Sequence, residues 1–377
     1  MHDTIELGVQ NQTTIFDNDD FVKTIFVFPG QGAQWLGMAQ NLITQEPVFK
    51  ASLEAFNNEL SKYVSWNLFD VLKGDNEQFL NQLDVVQPIL VAIGIALADL
   101  WKSKGIHPNG VIGHSLGEVA AAYVAENISL HDAVKIICKR SKLMKQVSGK
   151  GLMLATDLTF SEAKKRIENL QDKLSIAVVN SEQSLVLSGD SESIWHLQST
   201  LEQEGKFARM IKVDVASHSI HMDKIDEELA IALDSVQPIN SNIAFYSTVY
   251  GKKIDGSSLD ANYWKNNLRQ TVRFKDSVEQ IIEQQKCVFI EMSPHPTLLH
   301  ALQQNFDMQS SKSIALPSFL RDKNDFESFY KNYGALYETN YTINWKNIYP
   351  EIGKFVQLPN YAWQKERYWF DEQPNVS

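Results

Sequence analysis

The sequence predicts an α/β protein in two parts, a large domain on a parallel sheet interrupted by a smaller unit. Three observations carry this. At TIFVFPG and again at VIGHS, a short apolar run stops at a glycine turn that feeds a helical stretch, the rhythm of a strand followed by a crossover helix. Between residues 150 and 213 the rhythm changes to β-α-β-β-α-β. The chain, at 377 residues, is also longer than one compact core usually needs.

Residues 1–22 are polar, rich in Asn and Asp and without periodicity, so they read as a flexible tail. TIFVFPG (24–30) is a strand ended by Pro-Gly, and GQGAQWLGMAQNLI is a loop feeding a helix. DVVQPILVAIGIALADLWKSK (84–104) is apolar on nearly every side, with Gly105 where a C-terminal cap falls, so it reads as a buried helix. VIGHSLGEVAAAYVAEN (111–127) passes from strand through a tight turn into an Ala-rich helix, which gathers backbone amides at the strand's C-terminal end.

In the smaller unit, GLMLAT, LSIAVVN, SLVLSG and FARMIKVD read as strands. Its helices are SEAKKRIENL, with Ala163, Ile167 and Leu170 on one face, and SIWHLQSTLEQEG, with Ile194, Leu197 and Leu201 on one face. This is the ferredoxin-like order, small enough to be an insertion. The large domain then resumes with an amphipathic helix over Asp223 to Leu233 and a buried strand at CVFIEM (287–292). Its expected extent is 23–149 and 214–311, with 150–213 as the ferredoxin-like subdomain. Residues 312–372 are aromatic-rich and read as a loop-like linker wrapping the large domain.

The 46 acidic against 35 basic side chains give a net charge of -11, which repels a phosphate backbone unless a basic patch is concentrated somewhere, and none is visible. The longest apolar run, Pro88 to Ala98, stops at Asp99, short of the roughly 20 residues that a bilayer span requires. The N-terminus shows neither a basic region nor an apolar one, and two cysteines are no disulfide framework. A cytoplasmic, reducing setting is expected, with Cys138 and Cys287 as core residues.

Gly113-His114-Ser115-Leu116-Gly117 fits G-x-S-x-G, in which small flanking residues let the serine occupy a strained strand-to-helix turn with its hydroxyl exposed. The Leu116 amide then points at an oxyanion, and the helix start behind it favours negative charge. Gly30-Gln31-Gly32 offers a second loop whose Gln31 amide can complete a two-donor hole. The bland readings are a capping serine and an ordinary glycine turn. Such a serine needs a base, and nine histidines are available. His218, in VASHS, stands where the chain re-enters the large domain; His221, His295 and His300 are rivals. Arg140 falls among Val134, Ile137, Cys138 and Leu143 on one helical face, and demands either an acidic partner or a ligand carboxylate.

FVFPGQGAQW, DVVQP, VIGHSLGE, the KRSKLM helix, VASHS, NNLRQTVRF and EMSPHPTL, in this order and spacing, resemble the acyltransferase domain of modular polyketide synthases and, more distantly, the malonyl transferases of fatty-acid synthesis. The resemblance covers about residues 23–372, including LPNYAWQKERYW, which is similar to the stretch after the acyltransferase in such synthases. It implies an α/β-hydrolase-like large domain, Ser115 as the acylated nucleophile, His218 as the base and Arg140 as the clamp on an extender's free carboxylate. It further implies an oxyanion hole of Gln31 and Leu116, and Asn267 as the position that orients the histidine. The implied partners are an acyl carrier protein and an adjacent ketosynthase domain. No cofactor is bound permanently: acyl-CoA or an acyl-carrier protein is the donor, and a phosphopantetheine thiol is the acceptor. The reaction implied is ping-pong transfer of a malonyl-type unit.

The extender is read from Leu116, Val215, Ala216 and Ser217. Val-Ala-Ser-His departs from both the HAFH and the YASH patterns of the resembled family, and Leu116 resembles the malonyl-selective members, so the two indicators conflict. The small side chains at Val215, Ala216 and Ser217 favour an α-substituted malonyl, while plain malonyl, and hydroxymalonyl or aminomalonyl delivered on a carrier protein, stay open. Two rival functions share some of these residues. A serine hydrolase shares G-x-S-x-G but expects an acidic triad member, absent at the usual place in chain order. A silent docking module for carrier proteins has no use for an intact Ser115, His218 and Arg140.

Overall fold

The computed structural model describes residues 22–75, 77–213, 215–283, 285–349, 353, 356–360 and 362. The expected N-terminal tail lies outside the described residues but for Val22, as does most of 350–372.

Among the described residues the large sheet runs β10-β9-β1-β2-β7-β8. These strands are β1 (Lys23–Phe28), β2 (Gly110–Gly113), β7 (Ala244–Ser247), β8 (Lys252–Ile254), β9 (Cys287–Glu291) and β10 (Ile314–Pro317). Neighbours are parallel except β7 with β8. β9 is buried at every residue and β1 from Thr24 onward, which is why both read as continuous apolar runs without alternation. Phe28 pairs with Gly113 and Val27 with Glu291, so the chain leaves β1, β2 and β9 side by side at one edge. That edge is where open parallel sheets hold ligands.

The second sheet is antiparallel in the order β4-β5-β3-β6: β3 (Gly151–Thr156), β4 (Leu174–Ser181), β5 (Ser184–Asp190) and β6 (Ala208–Met210). Helices Phe160–Arg166 and Ser191–Gln203 cover one face through Ala163, Ile194, Leu197 and Leu201. Thr159 and Glu162 form a capping box that fixes where the first helix starts. The free edge of β4 meets the large domain: Val179 N donates to Val272 O at 2.9 Å, Val272 N to Ala177 O at 2.8 Å, and Thr271 Oγ1 to Ile176 O at 2.7 Å.

The apolar helix spans Leu83–Ser103. By length and composition it could cross a membrane, but 89% of its most apolar stretch is buried inside the protein, and Gly105 at φ 89° ends it. Trp101 is wholly buried beneath Phe329 and Tyr333, with ring centroids 4.7 and 5.9 Å away. Losing such a side chain costs about 3–5 kcal/mol, so this contact anchors the C-terminal segment.

Three expectations change. Residues 312–372 are not simply a wrapping linker: Ile314–Pro317 is an edge strand of the large sheet and Asp325–Glu338 is a helix. Phe326, Phe329, Tyr330, Tyr333 and Leu336 recur at helical spacing, a period masked by aromatic density. The helix expected over Asp223–Leu233 is a 3-10 turn, Ile220–Lys224, then an α-helix, Asp226–Ala232, separated by Ile225 at φ -127°. FARMIKVD is a strand only over Ala208–Met210, with one further bond from Ile211 N to Met153 O at 2.9 Å.

Candidate active site

β2 ends at the sheet edge, and within three residues the chain starts the helix Gly117–Val124. Sterics leave little choice of residue there. A Cβ on Gly113 would lie 2.3 Å from Glu118 Cα, and one on Gly117 2.0 Å from Phe28 O. Ser115 between them has φ 54°, a left-handed conformation that costs a side-chain-bearing residue roughly 1 kcal/mol or more. Three hydrogen bonds hold the turn: Gly117 N to His114 O at 3.0 Å, Glu118 N to Ser115 O at 3.1 Å, and Asn267 Nδ2 to Ser115 O at 3.0 Å.

Ser115 Oγ lies 2.8 Å from His218 Nε2 and 3.0 Å from Arg140 Nη2. His218 is also left-handed, at φ 57°, pinned by its N–H on Leu268 O at 3.1 Å. Its Nδ1 lies 2.8 Å from Gln270 O. A carbonyl can only accept, so Nδ1 carries the proton and the Nε2 lone pair faces the serine hydroxyl. Burial, and then the charge of Arg140, bring His218 down to about 3, so the resting imidazole is neutral. The rival histidines are elsewhere: His221 pairs with Asp190 at 2.7 Å, His295 Nδ1 accepts from Arg321 N at 3.2 Å, and His300 is exposed.

Arg140 projects from the helix Leu130–Gln146 and is 2% exposed. No described carboxylate forms an ion pair with it. Nη2 meets Ser115, while Nε and Nη1 are buried without a partner. Burial lowers the guanidinium to about 10. A buried fork with two open donors beside a serine is a receptor for an anion.

The glycine-rich loop after β1 lies against the serine turn: a Cβ on Gly30 would sit 3.3 Å from His114 O and 3.9 Å from Ser115 Cβ. Neither the Gln31 N–H nor the Leu116 N–H is spent on another described residue, so both remain available as donors. Trp35 Nε1 donates to Pro294 O at 2.9 Å and moors this loop to the turn after β9. Val215 and Ala216 are buried, and half-buried Ser217 sets its hydroxyl 3.5 Å from Met153 Sδ. Among the described residues no group of three His, Cys, Asp or Glu could hold a metal ion.

Asn267 is a correction. It does not orient His218: its Nδ2 donates to Ser115 O and to Glu118 Oε2, and the Gln270 carbonyl holds the imidazole. Gln270 starts the stretch that crosses to β4, so its carbonyl is fixed by contacts between the two sheets, which no local pattern announces. Gln87 was also missed as a site neighbour; its Nε2 donates to Gln31 Oε1 at 3.4 Å, and a lone glutamine in the apolar run DVVQPILV was the available signal. His114 Nε2 lies 3.0 Å from Asn180 Oδ1 on β4, a second tie between the two units.

Residues 25–341 match the family model described as "Acyl transferase domain". The chain is 41% identical over 349 residues to a polyketide synthase, GfsB, of Streptomyces halstedii, covering 92% of this chain and 6% of that one. It is 38% identical over 355 residues to the mycoketide-CoA synthase of Mycobacterium tuberculosis, covering 93% and 8%. The chain thus spans less than a tenth of the length of these two relatives. Among solved structures it is similar to the acyltransferase domain from module 8 of the salinomycin polyketide synthase, with a TM-score of 0.84 and 36% identity over 86% of this chain and 77% of that one. It is likewise similar to a loading acyltransferase from the avermectin modular polyketide synthase, with a TM-score of 0.80 and 36% identity, covering 83% and 99%. With a parallel sheet, an inserted antiparallel one and this match over most of its length, the chain belongs to the acyl transferase domain family in the form found in modular polyketide synthases.

Proposed function

We propose that this acyltransferase takes a malonyl-type extender, α-substituted, onto Ser115 and passes it to the phosphopantetheine thiol of an acyl carrier protein. Ser115 Oγ attacks the donor thioester as its proton moves to His218 Nε2, which the Gln270 carbonyl has left as the free lone pair. The Gln31 and Leu116 amides receive the oxyanion. Collapse releases the CoA or carrier thiol, which takes the proton from His218, and leaves an ester on Ser115. The acceptor thiol then attacks this ester, giving its proton to His218, which returns it to Ser115 Oγ as the new thioester departs.

The observation that carries this reading is Arg140, buried beside the nucleophile with Nε and Nη1 open and no ion pair to any described carboxylate. A free carboxylate on the extender supplies the missing pair. It also offsets the positive charge that, after burial, is the second cause of the low basicity of His218. The donor that fits Arg140 therefore sharpens its own base. The small side chains of Val215, Ala216 and Ser217 ahead of the histidine support room for an α-substituent.

The test is intact-mass measurement of acyl-enzyme with acetyl, malonyl, methylmalonyl, hydroxymalonyl and aminomalonyl donors on CoA and on carrier protein. Ser115→Ala is expected to gain no mass with any donor. Arg140→Ala is expected to lose malonyl-type acylation by about 10²-fold or more, the worth of a charge-assisted buried contact, while acetyl transfer holds or improves. Equal losses for both donor types would return Arg140 to a structural role. Acyl-enzyme from malonyl but from no α-substituted donor would replace the proposed extender by the plain one.

A further inference from the structure

The serine turn rests on a buried side chain that the proposed mechanism does not use. Glu118, the last residue of GHSLGE, is fully buried. Its Oε2 accepts from Tyr263 OH at 2.7 Å and from Asn267 Nδ2 at 2.8 Å. Its Oε1 accepts from Thr248 N at 2.6 Å and lies 2.9 Å from Thr248 Oγ1. Two of these partners reach on to the turn itself: Asn267 to Ser115 O at 3.0 Å and Thr248 Oγ1 to Gly113 O at 2.9 Å. Carbonyls on either side of His114 are thereby tied to one carboxyl.

The pattern of donors and acceptors around it favours the protonated state. The Gly113 carbonyl can only accept, so the proton in that contact is the threonine's. With its one proton on Gly113 O, Thr248 Oγ1 has none to give Glu118, and a carboxylate would then set a charged oxygen against a lone pair at 2.9 Å. A proton on Oε1 removes the conflict. It goes to Thr248 Oγ1, Oε1 still accepts the Thr248 N–H, and Oε2 keeps Tyr263 and Asn267. Ser247 Oγ, 2.7 Å from Tyr263 OH, can then donate to the phenol whose own proton is given to Glu118.

We propose that Glu118 is a positioning residue held as the neutral acid, an uncharged hub that fixes the carbonyls around the nucleophile and leaves the whole charge of Arg140 for the substrate. The titratable groups facing it are Tyr263, from the helix Ala261–Arg269, and Arg140, from the helix Leu130–Gln146. Burial holds Glu118 above the ordinary carboxyl range despite the donors around it. The consequence for Arg140 rests on the substrate reading above; the state of the carboxyl does not.

Three measurements test the hub, and two of them need no acyl donor. In the infrared difference between wild type and Glu118→Gln at neutral pH, a neutral-carboxyl C=O band that the variant lacks is expected; absence of the band overturns the proposal. The malonyl to acetyl acylation ratio is expected to be the same in Glu118→Gln and wild type, because one uncharged group replaces another; a change of more than about tenfold in that ratio means Glu118 was a counter-charge to Arg140 and overturns it too. Labelling of Ser115 by a fluorophosphonate should slow about tenfold in Thr248→Val, which cuts one tie to the turn, with an unaltered pH profile. An unchanged labelling rate in Thr248→Val would show that the hub positions nothing. Should wild type accept no carboxylated donor, the substrate reading fails while the infrared band still decides the carboxyl.

Discussion

The two loops that flank the reaction centre differ in how tightly they are packed. The serine turn, residues 113–118, is short, with only His114 and Ser115 half-buried. It is fixed by close sterics, Gly113 against Glu118 and Gly117 against Phe28 on the paired strand, by the bonds of Gly117 N and Glu118 N back into the turn, and by Asn267 and Thr248 on its carbonyls. The glycine-rich loop, residues 29–39, is longer and partly exposed, and is held from far away in sequence, by Trp35 on Pro294 O and by Arg321 Nη2 on Gln34 O at 3.3 Å. The turn that receives Trp35 is itself wound around buried Glu291, which accepts from Thr297 N at 2.7 Å and Leu298 N at 3.1 Å. A nucleophile tolerates no alternative position, so its turn leaves none. The loop that carries Gln31 is borne by contacts that can give a little.

Substitution at matched glycines should break this contrast most sharply. Gly117→Ala places a methyl 2.0 Å from a backbone oxygen that cannot retreat without unpairing β1, so soluble folded protein and acyl-enzyme should both be lost. Gly32→Ala meets nothing within 4 Å and suffers only the conformational penalty of φ 131°, about 1–3 kcal/mol. Melting curves and acyl-enzyme yield measure both; a folded, active Gly117→Ala would show that the turn is not sterically fixed.

Next in size comes the base. His218→Ala should slow acylation about 10²- to 10⁴-fold, whereas His221→Ala, which loses a contact with a part-exposed Asp190, should leave the rate within a few-fold. The reverse ranking in stopped-flow acylation would move the base to His221.

Burial of the turn also leaves a mark on stability. Burial brings His114 from 6.5 down to about 4, and His218, with Arg140 adding to the effect, to about 3. Below 6.5 the unfolded chain takes up protons that the folded one refuses, so stability present above 6.5 is lost as pH falls toward 4 and then 3. Denaturant midpoints measured across that window should fall with acid in wild type and fall less in His218→Gln. Parallel curves would mean His218 is solvated.

The smallest effect belongs to the glycine-rich loop. Trp35→Phe keeps the ring but drops the bond to Pro294 O, worth about 1 kcal/mol, so acylation should slow a few-fold with melting almost unchanged. A loss as large as that of His218→Ala would show the loop to be as rigidly required as the serine turn.

What the sequence by itself determined is what short-range sterics and periodicity impose. Gly113, Ser115 and Gly117 announce a strained strand-to-helix turn because their clashes lie with residues next door or on the paired strand. The apolar run into Gly105 announces a core helix, and Arg140 on an apolar face announces an unmet charge. The tertiary structure alone decided which histidine reaches the serine, because that choice depends on a carbonyl 52 residues further on at Gln270, placed where the second sheet meets the large domain. It decided that no described carboxylate forms an ion pair with Arg140, that Asn267 serves the Ser115 carbonyl instead of the imidazole, and that the aromatic C-terminal segment is a strand and a helix seated on Trp101. Each of these depends on pairing between groups far apart in the chain, and local pattern carries no information about a partner that only folding brings within hydrogen-bond reach.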